Sequence, residues 1–195
     1  KYWTPSRIAD SARYQSRVYE WAARVVRARS LRSVLDVGSG PGVKLGKYLA
    51  EVCDDLSAVD QPSALTVAAS LRVPAKLRPI DLERPGVPWR AFDLVLCADV
   101  IEHVVNPLPL LGYLRRASRR GGYVLVSTPE RARLRGRGCV ACEKPEHIRE
   151  WERGEFLWLL KSQGFEMLRS RLLPQDESRS AEHRQPERAF RAGNA

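Results

Sequence analysis

Val34-Leu35-Asp36-Val37-Gly38-Ser39-Gly40-Pro41-Gly42 is the stretch on which the reading of this 195-residue chain turns. Val34 to Val37 is a short apolar run of the kind that forms a buried strand. It stops at three glycines on alternate positions, and Val43 to Glu51 then has the pattern of a helix. Strand, glycine turn and helix make the first half of a βαβ unit. Glycines reach backbone angles closed to other residues and carry no Cβ, so a small molecule can come close to the backbone of this turn.

What is missing narrows the ligand. A dinucleotide fingerprint would need its third glycine where this chain has Val43, and the Gly-Lys-Ser/Thr ending of a phosphate loop is absent. Asp36, just before the turn, would repel a pyrophosphate and suits a ligand that carries positive charge. The hydrophobic-Asp-x-Gly-x-Gly-x-Gly pattern resembles the first motif of the class I S-adenosylmethionine-dependent methyltransferases. Their cofactor is positive at its sulfonium and its α-amino group. The resemblance implies that S-adenosylmethionine lies over Asp36, Gly38, Ser39, Gly40 and Gly42.

Leu56 to Val59 reads as the second strand and ends at Asp60, at a spacing from Asp36 that fits a βαβ unit. An acidic residue there can accept hydrogen bonds from both ribose hydroxyls, and Gln61 follows it at the same edge. Ser63 to Leu71 is the next helix, closed by Pro74. Ala75 to Ile80 is a third strand that Pro79 confines to the sheet edge. At Asp81-Leu82 the resemblance implies that the acid binds the adenine amino group and the next backbone N–H a ring nitrogen.

Phe92 to Cys97 is the fourth strand. The run Asp93-Leu94-Val95-Leu96-Cys97-Ala98-Asp99-Val100-Ile101-Glu102-His103-Val104 resembles the fourth motif of small-molecule methyltransferases, such as the ubiquinone-biosynthesis O-methyltransferases. It places Ala98 and Asp99 at the cofactor, by the switch point where open α/β sheets bind ligands. Leu108 to Ser118 reads as a helix, and Tyr123 to Ser127 as the fifth strand. An irregular arginine-rich loop runs from Arg131 to Pro145. A helix over Arg153 to Ser162, with Phe156, Leu157, Leu159 and Leu160 as its buried face, leads past the capping Gly164 to a sixth strand, Phe165 to Leu173.

The expected fold is therefore a three-layer α/β sandwich with a Rossmann-like, mostly parallel sheet. The resemblance implies the order 3-2-1-4-5 with the sixth strand beyond; no convincing seventh strand is read. Residues 1–30 form an N-terminal helical segment, with one helix from Ile8 to Arg29. Residues 31–173 form the methyltransferase domain. Residues 174–195 are polar and poor in aliphatic side chains, and are expected to be a disordered tail.

Hydrophobic residues make up 44% of the chain, and no apolar run approaches the ~20 residues of a membrane span. No signal peptide is read. Four cysteines do not suggest a disulfide framework in a chain of this length, so a reducing, cytoplasmic setting is expected. The net charge of +10 raises the question of a nucleic-acid partner. However, 27 of the 33 basic residues are Arg, a skew that a GC-rich genome produces unaided. Few aromatics are interleaved with them, as a stacking platform would require. Nucleic acid is disfavoured.

A hydroxyl acceptor must lose its proton, which calls for a base titrating near neutrality. His103 follows the fourth strand and is the first candidate; His147 is the second. His183 lies in the polar tail and is set aside. Cys139-x-x-Cys142 with His147 would supply three zinc-type ligands, but no fourth follows and the spacing lacks the context of a redox pair, so no metal is expected. The reading is an S-adenosylmethionine-dependent transfer of methyl to a small-molecule or saccharide hydroxyl. An RNA methyltransferase and a non-catalytic S-adenosylmethionine-binding protein are the alternatives.

Overall fold

The computed structural model describes residues 2–136, 138, 139, 142, 144–173 and, for the backbone alone, 187–192. The elements in chain order are α1 (Pro5–Ser11), α2 (Ser16–Arg29), β1 (Ser33–Val37), α3 (Val43–Leu49), β2 (Asp55–Asp60), α4 (Pro62–Ser70), β3 (Lys76–Pro79), β4 (Phe92–Ala98), α5 (Pro107–Ala117), β5 (Ser118–Ser127), α6 (Arg131–Arg135), α7 (Arg153–Ser162), β6 (Phe165–Arg171) and β7 (Glu187–Ala192). The sheet order is β3-β2-β1-β4-β5-β7-β6. Strands β3, β2, β1, β4 and β5 pair in parallel, and β7 runs antiparallel to both β5 and β6.

Side chains alternate along the central strands and build a separate core on each face of the sheet. Leu35 and Val37 of β1, Val95 and Cys97 of β4, and Val124 and Val126 of β5 pack with Leu110, Leu111 and Leu114 of α5 and with Phe156 and Leu160 of α7. Val34, Leu94, Leu96 and Leu125 face the other way, onto Val18, Ala22 and Val26 of α2 and Leu45 and Leu49 of α3. Burying side chains of this size stabilises by about 1.5–3 kcal/mol each. The result is the expected three-layer sandwich. Pro79 ends the edge strand β3, and α7 has the predicted bounds.

Three expectations need correction. The helix expected over Ile8 to Arg29 is two helices, broken at residues 12–15, where Gln15 takes a left-handed φ of 58°. The break is held by polar contacts that the apolar pattern does not show. Lys44 Nζ donates to Ser11 O at 2.9 Å and to Gln15 Oε1 at 2.6 Å. Part of the arginine-rich loop is a short helix, α6. A seventh strand exists, although the sequence pattern shows none. Glu187–Ala192 inserts between β5 and β6 and pairs with both. It forms two backbone ladders, which do not require a hydrophobic run. Residues 174–186 and 193–195, and with them His183, lie outside the described residues.

Candidate active site

The cleft opens at the carboxyl ends of β1, β2 and β4 and has two joined lobes. One, of about 820 Å³, is lined by Gly38, Gly40, Asp60, Gln61, Asp81, Leu82, Asp99 and His103 among others. The second, of about 400 Å³, shares Gly38, Gly40, Asp99 and His103 and adds Ser39, Ala98, Glu102 and His147. Tyr2 and Trp3 of the N-terminal segment border both lobes. Of the eleven residues expected at the cofactor, only Asp36 and Gly42 are absent from the walls.

The turn needs its glycines. Gly38, Gly40 and Gly42 have φ of 76°, 58° and 69°. A Cβ at Gly38 would run into the methyls of Val100, and one at Gly40 would approach the Trp3 ring at 3.3 Å. The turn is anchored from β2: Asp60 Oδ2 accepts from Gly40 N–H, and Oδ1 from Gln61 N–H, each at 2.7 Å. Burial pushes the Asp60 carboxyl up, and these two N–H groups pull it back. A carboxylate has about four acceptor sites, so both oxygens keep a lone pair. Asp81 lies across this lobe and accepts from Glu83 N–H at 2.9 Å.

Asp36 alternates with Leu35 and Val37 and so points away from their core, toward α2. It is fully buried, and its Oδ2 accepts from Tyr19 Oη at 2.8 Å. Its Oδ1 has no hydrogen-bond partner. Burial raises its acid to about 7, against the pull of Tyr19 and Lys44. Asp36 thus lies beneath the turn as a buried acid rather than in the cleft.

The second lobe gathers groups from four separate segments. Asp99 has a left-handed φ of 51°. Its side chain accepts from Ser127 Oγ and from Gln15 Nε2, the latter at 3.2 Å. Glu102 is buried beside it. Glu102 Oε2 accepts from Thr128 Oγ1 at 3.3 Å, and Oε1 is unpartnered. Burial, then the charge of Asp99, hold this carboxyl well above the usual range. The Glu102 carbonyl accepts from Ile148 N–H at 2.8 Å and Arg149 N–H at 3.3 Å, which draws the loop after β5 over the cleft.

That loop brings in His147, whose ring stands edge-on to His103 with centroids 4.8 Å apart. His103 Nδ1 lies 2.7 Å from the Glu146 carbonyl, and burial lowers its pKa. His147 Nδ1 lies 2.8 Å from Glu150 Oε1, and Glu150 is paired with Arg135. The two histidine candidates therefore meet in space, 44 positions apart. Sequence reasoning misses Glu102, Glu150 and Arg135. A carboxylate inside the apolar run after β4 is the available signal for Glu102, and its spacing of three from His147 for Glu150.

Among the described residues, two groups of side chains bring metal-type donor atoms within 4.8 Å of one another: Glu102, His103 and His147, and Cys142, His147 and Glu150. The second fits a cation poorly, because both oxygens of Glu150 are engaged by Arg135 and burial pushes the Cys142 thiol up. Cys139 belongs to neither group. The first keeps an unpartnered carboxylate oxygen.

A family model described as a methyltransferase domain matches residues 12–170. Over 137 residues the chain is 31% identical to a probable S-adenosylmethionine-dependent methyltransferase of Mycolicibacterium smegmatis, covering 70% of this chain and 52% of that one. It is 30% identical over 106 residues to the ubiquinone biosynthesis O-methyltransferase of Thiobacillus denitrificans, covering 51% and 45%. It is also 34% identical over 104 residues to the tRNA U34 carboxymethyltransferase of Shewanella woodyi, covering 50% and 31%. The chain thus spans about half the length or less of these curated relatives. The crystal structure of an S-adenosylmethionine-dependent methyltransferase from Clostridium acetobutylicum superposes with a TM-score of 0.71 at 13% identity, over 93% of this chain and 92% of that one. At that identity the likeness shows the fold alone.

Proposed function

This chain belongs to the S-adenosylmethionine-dependent methyltransferase family, with S-adenosylmethionine as its cofactor, and on that premise we propose that it methylates a hydroxyl oxygen of a small molecule or saccharide. The observation that carries this reading is a single cleft that joins the glycine turn and Asp60 to His103 and His147.

The residues fit the cofactor. Asp60 has a spare lone pair on each oxygen for the ribose hydroxyls, Asp81 and Leu82 stand at the adenine side, and Gly38 and Gly40 leave the floor free of Cβ atoms. When bound, S-adenosylmethionine supplies an electrophilic methyl group on its sulfonium. The chain supplies position and a proton acceptor. Holding two reactants in line contributes roughly 7–11 kcal/mol, and a placed base typically ~10²–10⁴ in rate. His103 and His147 are the proposed bases, taking the hydroxyl proton as the acceptor oxygen becomes the nucleophile. Asp99, tied to Ser127 and Gln15, orients the acceptor.

The test is transfer of labelled methyl from S-adenosylmethionine to a panel of hydroxyl compounds, with RNA alongside. His103→Ala and His147→Ala should each retain cofactor affinity, and the variant that removes the base should lose ~10²–10⁴ in turnover. Full turnover in both variants would leave proximity as the whole mechanism. Tight cofactor binding with no transfer to any acceptor would favour a non-catalytic binding protein.

A second reading is favoured by the unpartnered Glu102 Oε1: a divalent cation held by Glu102, His103 and His147, which would bind the acceptor oxygen and ease its deprotonation. Loss of transfer after chelation, restored by Mg²⁺ or Mn²⁺, separates it from the first.

A further inference from the structure

We propose that Glu150, clamped by Arg135, is a positioning residue that holds His147 with its Nδ1 protonated and leaves the Nε2 lone pair for the cleft. The proposal rests on the reading of His147 as a participant in methyl transfer.

The geometry behind His147 is unusual. Glu150 and Arg135 have side chains 0% and 2% exposed. Burying two charges is costly unless their hydrogen bonds are well made. Here Arg135 Nε donates to Glu150 Oε2 at 3.2 Å and Nη2 to Oε1 at 3.1 Å. Arg131 Nη1 donates to the Glu150 backbone carbonyl at 2.8 Å, so the residue is held at both ends. Glu150 Oε1 is shared between Arg135 Nη2 and His147 Nδ1, the latter at 2.8 Å. The buried pair therefore ends on the imidazole.

The proton's place follows from the partners. Arg135 donates to both oxygens of Glu150 in a buried two-point pair, and a guanidinium so placed favours the ionised carboxylate. An ionised carboxylate can only accept, so His147 Nδ1 must donate. A neutral imidazole with Nδ1–H carries its lone pair on Nε2. His147 is buried, lines the second lobe and has a ring nitrogen within 4.8 Å of a ring nitrogen of His103 and a carboxylate oxygen of Glu102. Arg135 keeps the carboxylate charged, so that Glu150 does not take the proton itself.

His103 offers a contrast. Its Nδ1 also faces an acceptor, but this is the neutral carbonyl of Glu146. A carbonyl fixes the ring without supplying charge to an imidazolium. Of the two histidines, it is His147 whose Nδ1 meets a carboxylate.

Ring ¹⁵N shifts of the whole 195-residue chain test this without any turnover. His147 should show a protonated Nδ1 and a bare Nε2. Glu150→Ala strands the Arg135 guanidinium and endangers folding, so the informative variant is Arg135→Met with Glu150→Leu, which replaces the pair by apolar groups. It should fold and bind S-adenosylmethionine as the wild type does. Its His147 should give a mixture of tautomers, and kcat should fall on the order of 10–10²-fold with little change in KM. An Nε2-protonated His147 in the wild type overturns the proposal, as does a folded double variant with wild-type tautomer and kcat. If the tautomer responds to Glu150 while His147→Ala turns over normally, the positioning stands and the catalytic reading of His147 falls.

Discussion

The backbone N–H of Gly40 donates to Asp60 Oδ2 at 2.7 Å, so the carboxylate that closes β2 also holds the turn that leaves β1. The residue proposed for the ribose and the turn proposed for the rest of the cofactor are one mechanical unit. The second oxygen of Asp60 accepts from the N–H of Gln61, the residue just before α4.

Asp60→Ala should therefore weaken S-adenosylmethionine binding by more than the loss of one ligand contact. The charged acceptor alone contributes ~1.5–3 kcal/mol, roughly 10- to 100-fold in affinity, and the freed turn adds to that. Asp60→Asn keeps one oxygen and should fall between the two. Calorimetry on folded variants decides, and an unchanged dissociation constant for Asp60→Ala would remove the assignment.

Gly38→Ala tests the turn itself. The new methyl meets Val100 at a residue whose φ is 76°. Overpacking and left-handed strain cost about 1–3 kcal/mol each. Urea unfolding should show at least one such loss. Val100→Ala in the same chain should restore the packing part and leave the backbone part. A Gly38→Ala protein as stable as the wild type contradicts the turn geometry.

Asp36 makes stability depend on pH. Its acid is raised from 3.8 to about 7, mainly by burial. A carboxyl raised on folding contributes stability that is fully present below 3.8 and is lost as pH rises through about 7. The ligand-free protein should lose melting temperature over that window relative to Asp36→Asn, which cannot ionise. The positively charged cofactor favours the ionised form, so its affinity should rise with pH across the same range and flatten in Asp36→Asn. Parallel pH profiles for the two proteins would show that Asp36 does not titrate there.

The basic surface is expected to be mainly solvated. Several arginines are engaged by acids within the chain: Arg90 with Asp55 at 2.7 Å, Arg119 with Asp93 at 2.6 Å, and Arg131 with Glu155 at 3.0 Å. Fluorescence anisotropy should find no RNA binding in the micromolar range at physiological salt. Micromolar affinity that falls steeply with added salt would move the proposal to an RNA acceptor.

Local chemistry is legible in the amino-acid sequence by itself. The glycine turn, Asp60 at the end of β2, the edge strand with Pro79 and the amphipathic α7 each depend on a few adjacent residues, where backbone angle, spacing and periodicity act directly. The order of the central strands follows from the resemblance of two motifs. Tertiary structure alone decides the features that join distant positions. Tyr19 to Asp36 spans 17 positions and Gln15 to Asp99 spans 84. The meeting of His103 with His147 depends on the Glu102 carbonyl pulling in the loop that carries residues 148 and 149. Such contacts leave no period in the sequence, because each is one hydrogen bond made possible by the whole sheet. The same holds for β7. A strand paired on both sides is held by backbone groups that every non-proline residue carries, so hydropathy passes over it, while the gap between β5 and β6 selects it.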